Sequence, residues 1–344
     1  MDAPQELPHG AAEPGNPIAR WWRTKSMRRF RRNPLAIIGF VLVVGFVVMA
    51  VIAPVVTPLG RNCLRDLGLT AATADAYQNP AQPAFWRVMF QPPDTCYMMP
   101  RAGYSPIPQT AETSGTLLGT TSQGYDIYYG LMWGARTAFR IGVLVVGIGL
   151  LIGTLVGSTA GYLGGWVDNV LMRFTDMVIA VPALVLALVI VMVLGNSIVN
   201  LMIAIAAVAW PSYARLVRGE VLRIKELEYV TGARAMGRKS FGIVMRHVLP
   251  NAMGPVLIVA SLDIGSIVLT AAALSFLGLG PELGYADWGQ MISFARNWIL
   301  GPPGQPMAYW YTSFWPGLTI VLFVLGWNLL GDAFRDVLDV RGHV

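Results

Sequence analysis

Charge is scarce in this sequence. Asp, Glu, Lys and Arg make up 13% of its 344 residues, where soluble domains carry about a quarter. Histidine is limited to His9, His247 and His343, far apart in the chain, and cysteine to Cys63 and Cys96. These shortages exclude much. No Cys/His/carboxylate set has metal-ligand spacing, and no Ser/His/Asp arrangement suggests nucleophilic catalysis. A phosphate-cradling loop is missing too. The nearest match, Gly232-Ala-Arg-Ala-Met-Gly237-Arg238-Lys239-Ser240, separates its glycines correctly but sets Lys239 one place too far, and no apolar strand precedes it. Such a cradle needs its Lys and backbone N–H groups in register. The chain is therefore expected to be no enzyme, and to bind no metal and no ATP of its own.

Apolar residues fill the space that charge leaves. They make up 55% of the chain, and the mean hydropathy is +0.54. One aqueous globule cannot hide that much apolar surface, so membrane lipid is the expected solvent. Six runs have the length to cross ~30 Å of hydrocarbon as helix: 35–56, 141–163, 177–194, 198–214, 252–279 and 314–331. The first two carry no charge, Pro211 interrupts the fourth, and Asp263 is the one acid of the fifth. The expected fold is all-α, with six transmembrane helices. Pro182 and Pro211 are expected to kink spans three and four.

The net charge of +6 could suggest nucleic acid. The basic residues, however, sit in two blocks that flank apolar spans, at 20–32 and 215–246. That pattern fits membrane orientation better, and nucleic acid is not an expected partner. The positive-inside rule places both termini and the 215–250 loop in the cytoplasm. The expected layout is a disordered tail at 1–19, a basic segment at 20–34, a first membrane helix at 35–57 and an external insert at 58–135. A core of five membrane helices follows at 136–336, then a cytoplasmic end at 337–344. The tail is rich in Pro, Gly, Ala and acids, and no signal peptide is read there.

The insert is too long for a plain connector and is expected to hold some order. Within it, 85–90 reads as a short helix, lying on the membrane surface or packed inside the insert. Cys63 and Cys96 both fall in this loop. They could pair if it faces an oxidising compartment; otherwise they are two unrelated thiols.

Inside the spans, Gly149, Gly153, Gly157 and Gly161 recur every fourth residue, one smooth face for helix packing or for sliding. Asp263 is costly at mid-depth and must face protein or water. With Ser266 and Thr270 on the same span it is a candidate for the translocation pathway, or for a tie to backbone; Ser261 and Ser275 add polar atoms.

The 220–250 loop carries the most information. Residues 226–236 favour helix, and Tyr229, Gly232, Ala233 and Met236 recur on one small apolar face. Gly237 suits a helix C′ position. A second helix is expected over 240–247, stopped by Pro250. Arg234, Arg238 and Lys239 would rim this plug and meet partner acids; alternatively the loop is solvated and held by lipid headgroups.

This loop resembles the cytoplasmic "EAA" loop of ABC importer permeases. Thr231, Gly232 and Ala233 hold its first three places, and Gly237, His247, Leu249 and Pro250 the rest. Thr231 stands for the acid and His247 for the isoleucine. The ending His247-Val-Leu-Pro-Asn251 is similar to the dipeptide/oligopeptide/nickel branch. So are 118–136 (with Thr121 and Tyr125 replacing an acid and an arginine), 161–176, Ser275-Phe-Leu-Gly-Leu-Gly280, Trp288-Gly-Gln-Met291 and Asn328-Leu-Leu-Gly-Asp332. The last segment continues through Arg335, Asp336, Asp339 and Arg341. Where family members often carry an acid late in span five, this chain has Ala271.

The resemblance covers about 30–341 and is closest to the C-type subunit. It implies a type I importer permease fold and coupling to ATPases through Tyr229, Thr231, Gly232, Ala233, Arg234, Ala235, Met236, Gly237 and Arg238. It also implies a B-type permease partner, two ATP-binding subunits that hold ATP and Mg, and an external solute-binding protein. The implied cargo is peptide, with nickel or oligosaccharide as alternatives. A stand-alone channel or secondary transporter is the reading from another class; it would need repeated halves with broken midplane helices, and no internal repeat is found.

Overall fold

The computed structural model describes residues 33–69, 83–103 and 107–338. The expected tail at 1–19, residues 20–32 of the basic segment and residues 339–344 lie outside the described residues, as do His9, His343, Asp339 and Arg341. Among the described residues the chain is helical. Its only β pairing there is three isolated bridges, which link Met98 to Tyr285, Arg101 to Tyr125 and Thr120 to Asp126.

The elements are α1 (Pro34–Val56), α2 (Arg61–Asp66), α3 (Pro83–Phe90), α4 (Ala111–Ser114), α5 (Ile127–Leu163), α6 (Gly165–Ile179) and α7 (Ala183–Leu194). They continue with α8 (Ile198–Lys225), α9 (Glu228–Ala235), α10 (Ser240–Ile243), α11 (Leu249–Leu274), α12 (Trp288–Ala295) and α13 (Tyr311–Leu338). Five helices are long and apolar enough to cross a membrane: α1, α5, α8, α13 and the run from Ser240 to Leu279 that contains α11.

The third expected span differs. It is a pair, α6 and α7, bent by 84°. Pro182 precedes α7 with non-helical backbone; it offers no N–H to the turn before it, and its ring clashes there. The neighbouring helices show that this pair is one crossing. Along α5, Gly149, Gly153, Gly157 and Gly161 meet α8 at Tyr213, Ala214, Val217 and Val221 in rising order. The two helices are therefore parallel, and the pair between them must return the chain across the membrane. Six crossings follow. The Asn33 amide at the start of α1 donates to Asp336 Oδ2 near the end of α13, 3.3 Å away, so both ends of the described chain lie on one face.

Helix ends depart from the apolar runs. α5 begins at Ile127, so the insert boundary set at 135 falls inside it. Its 37 residues extend about 55 Å, well beyond ~30 Å of hydrocarbon. α8 runs unbroken to Lys225 with Pro211 inside, rather than being interrupted there. α10 does not end at Pro250 either. It continues through a π turn, Val244–Val248, where Leu249 N–H donates to Val244 O, and so into α11. The turn is widened just before a residue with no N–H to give.

Caps begin the helices where sequence supplies them. Asn33 Oδ1 accepts from Leu35 and Ala36 N–H at 3.0 and 3.4 Å, with Pro34 in the first turn. Asp126 Oδ1 accepts from Tyr128 and Tyr129 N–H at 2.9 and 3.4 Å. The Asp126 carboxyl is nevertheless raised above the usual range by burial, against which those two bonds pull.

The described part of the insert is ordered. Cys63 and Cys96 are joined by a disulfide. The Tyr129 hydroxyl donates to Cys96 O at 2.6 Å, and Trp133 Nε1 donates to Thr57 Oγ1 at 2.9 Å. Tyr97 stacks on Tyr285 with rings 5.4 Å apart, and Tyr97 O accepts from Ala286 N–H at 2.7 Å. A platform thus rests on the projecting end of α5 and on the loop after α11.

Candidate coupling surface and membrane-embedded polar residues

α9 follows α8 after a short turn. Leu227 supplies no side-chain cap, but Glu228 places an acid in the first turn, favourable to the helix dipole. At the other end Gly237 has φ +77°, in the left-handed region open to glycine at little cost. Arg238 N–H donates to Ala233 O at 3.3 Å, and Gly237 N–H to Arg234 O at 3.0 Å. This pair of bonds is the Schellman ending, which satisfies carbonyls that the helix leaves open. The chain then turns into α10.

One side of this helix–turn–helix is buried in the molecule itself. Val230 and Ala233 on α9, and Ile243 and Val248 beyond the turn, lie at 0–3% exposure. The opposite side is apolar and open: Tyr229 is 47% exposed, Met236 78%, Phe241 77% and Met245 50%. Arg234, Arg238 and Lys239 are exposed around it. Arg238 Nη1 lies 3.3 Å from His247 Nε2. Thr231 spends its hydroxyl on Leu227 O at 2.9 Å, so no acid stands at that place.

The segment from Tyr229 to Arg238 is therefore a single unit, with two corrections. Ala233 does not share the open face of Tyr229, Gly232 and Met236; it turns inward with Val230. Phe241 and Met245 join the open face and were not foreseen. Their signal was the (i, i+4) spacing of two large apolar residues in an otherwise basic stretch.

On α11, Asp263, Ser266 and Thr270 follow one side. Ser266 Oγ donates to Asp263 O at 3.0 Å, and Thr270 Oγ1 to Ser266 O at 2.9 Å, so both hydroxyls return to their own helix. Asp263 is partly buried. The buried Tyr213 hydroxyl on α8 faces it without closing a hydrogen bond of ordinary geometry.

A second acid lies beyond the C-terminal end of α11. Asp287 begins α12, with Oδ1 accepting from Gln290 N–H at 2.8 Å. Burial pushes its carboxyl up to about 6, opposed by the hydrogen bond from Gln290 N–H. Gln290 in turn accepts from Gly284 N–H at 2.7 Å and donates to Pro281 O and Glu282 O at 3.1 Å. This closed network holds the loop to the first turn of α12.

Among the described residues no group of three or more His, Cys, Asp or Glu could hold a metal ion.

Known proteins match this arrangement. The model of the binding-protein-dependent transport system inner membrane component matches residues 149–342. That of the N-terminal transmembrane domain of oligopeptide transport permease C matches residues 20–93. The dipeptide transport system permease protein DppC of Alkalihalophilus pseudofirmus is 34% identical over 320 residues, 93% of this chain and 90% of that protein. The glutathione transport system permease protein GsiD of Pectobacterium atrosepticum is 37% identical, over 67% of this chain and 74% of its own. The probable D,D-dipeptide transport system permease protein DdpC of Escherichia coli is 39% identical, over 65% and 72%. In three dimensions the chain is similar to a chain of the inward-facing MetNI methionine ABC transporter. The TM-score is 0.50 at 17% identity, over 61% of this chain and 96% of that one, a likeness of fold. The chain belongs to the binding-protein-dependent transport system inner membrane component family: it is a multi-pass, non-catalytic permease subunit of an ABC importer, working with other permease, ATPase and substrate-binding components.

Proposed function

We propose that this subunit forms half of the translocation pathway for peptides delivered by an extracytoplasmic solute-binding protein. Its partner across the pathway is a B-type permease, and two ATP-binding subunits carry ATP and Mg. Relatives named for dipeptide and glutathione transport support a peptide cargo over nickel or oligosaccharide. Both termini and the α9–α10 segment face the cytoplasm, which the basic blocks at 20–32 and 215–246 favour.

The observation that carries this reading is the open surface of Tyr229, Met236, Phe241 and Met245, rimmed by Arg234, Arg238 and Lys239. Large apolar side chains on the water side of a membrane protein mark a partner surface. The basic rim selects an acidic surround. Thr231, Gly232, Ala233, Ala235 and Gly237 shape the unit, and α8 and α11 carry its movement into the bundle. ATP binding closes the ATPase pair, the unit moves with it, and the bundle rocks between its two facings. Asp263, Ser266 and Thr270 line the pathway.

Affinity purification of the tagged chain in mild detergent tests the assembly. Co-purification of a related permease and two ATPase subunits, with ATP-driven uptake of di- or tripeptides by that complex, is the expected result. A lone or self-associated chain, under conditions that preserve related importers, would contradict it.

A further inference from the structure

The helix α3 and the groove behind it are unused by the transport reading. Trp86 and Phe90 stand one turn apart on α3, 53% and 72% exposed, with rings stacked 5.6 Å apart at 8°. Val88, between them in sequence, is fully buried and fixes which side turns out. Arg136 on α5 sets the depth of the helix. Its Nη1 donates to Val88 O at 3.0 Å and its Nη2 to Met89 O, carbonyls of the last turn of α3. Its Nε donates to Ala50 O on α1 at 2.6 Å. One guanidinium thus ends α3 and ties it to α1.

Ala50 is six residues before the end of α1 at Val56, about 9 Å down the helix axis. α3 is therefore pinned below the end of a helix whose outward residues at this level are aliphatic: Val44, Val47, Val48, Val51 and Ile52 are all exposed. A groove of ≈ 330 Å³ opens between the two helices, lined by Val47, Val51, Phe90, Phe139 and Arg136 among others. Its walls continue the aliphatic face of α1, a helix long and apolar enough to span the bilayer, and Arg87 is exposed beside Trp86.

We propose that α3 is an interfacial helix seated in the insert-side leaflet, with a phospholipid acyl chain in the groove. Three features favour lipid over a protein partner. The groove is continuous with the aliphatic face of α1. The stacked aromatic pair lies at the depth where Trp and aromatic side chains collect at the hydrocarbon boundary. An exposed Arg beside that pair is placed to reach headgroup phosphate, as long basic side chains do at this level. The inference rests on the membrane placement of α1 and not on the cargo or the ATPase coupling.

The test is spin labelling of the full chain, with the subunits that co-purify, in phosphatidylethanolamine/phosphatidylglycerol vesicles. Cys63 and Cys96 are bonded to each other, so a single introduced thiol takes the label. Trp86→Cys and Phe90→Cys report the helix and the groove. Leu117→Cys, at a position 71% exposed in the segment between α4 and α5, is the aqueous reference. The expected result at 86 and 90 is oxygen collision several-fold above that of a water-soluble nickel chelate, with the order reversed at 117. Dominant collision with the chelate at both positions would overturn the proposal in favour of an aqueous insert. Exclusion of both reagents would overturn it in favour of a covering protein chain. Because 86 and 90 are labelled separately, failure of one variant to fold leaves the other to decide.

Discussion

Gly157 on α5 and Ala214 on α8 meet backbone to backbone: a Cβ on Gly157 would fall on the Ala214 carbonyl. Gly153 meets the same helix at Trp210 and Tyr213. Without hydrophobic drive between helices in lipid, such close approach is what holds them. The glycine stripe is thus filled by α8 in this conformation.

Substitution at this contact should be costly. Gly157→Val must push two helices apart, an overpacking of about 1–3 kcal/mol or more. The expected result is a clear fall in the melting temperature of the detergent-solubilised chain. Gly147→Ala, on the same helix with nothing within 4 Å of its Cβ position, should leave it unchanged. Equal melting of the two variants would argue against the parallel α5–α8 contact, and with it against the six-crossing count.

The Cys63–Cys96 bridge closes a sequence separation of 33, for which chain entropy predicts about 3–4 kcal/mol of stabilisation. Peptide mapping without reductant should recover the two cysteines linked. Reduction, or Cys63→Ser with Cys96→Ser, should lower the melting temperature. Alkylation of both thiols in intact cells would refute the pairing and remove a support for an oxidising environment around the insert.

Asp287 gives a pH dependence of defined sign. Its carboxyl is raised to about 6 when folded and returns to about 3.9 when unfolded. Between those values the folded state holds the extra proton, so stability falls as pH rises through the window and stays low above it. The ionised form is thereby disfavoured by up to about 3 kcal/mol. Melting temperature should rise as pH is lowered from 7.5 to 5. Asp287→Asn keeps a side chain suited to a helix start and should flatten that rise. A wild-type profile no steeper than that of the variant would contradict the assignment.

The membrane runs were legible because about twenty consecutive apolar residues have few other fates. Their true ends were not. α5 starts at Ile127 and α8 ends at Lys225, in stretches where polar and charged residues hide the helix from a hydropathy reading. Pro182 was visible as a kink, but the 84° bend depends on what α6 and α7 pack against. Pro250 looked like a stop, and only the π turn before it lets the helix continue. In the coupling segment, Gly237 could be placed as a helix ending from its residue type alone. Which face of α9 turns outward could not, since Val230 and Ala233 find their burial within the molecule.

If ATPases docked on α9 and α10 drive this chain, the surface of Met236 and Phe241 is where they bind. The decisive measurement is ATP-driven peptide uptake by the reconstituted complex carrying Met236→Asp with Phe241→Asp. Both side chains are more than three-quarters exposed, so membrane insertion and melting temperature should be unchanged while uptake is lost and the ATPase subunits no longer co-purify. Wild-type uptake with the ATPases still bound would contradict the account.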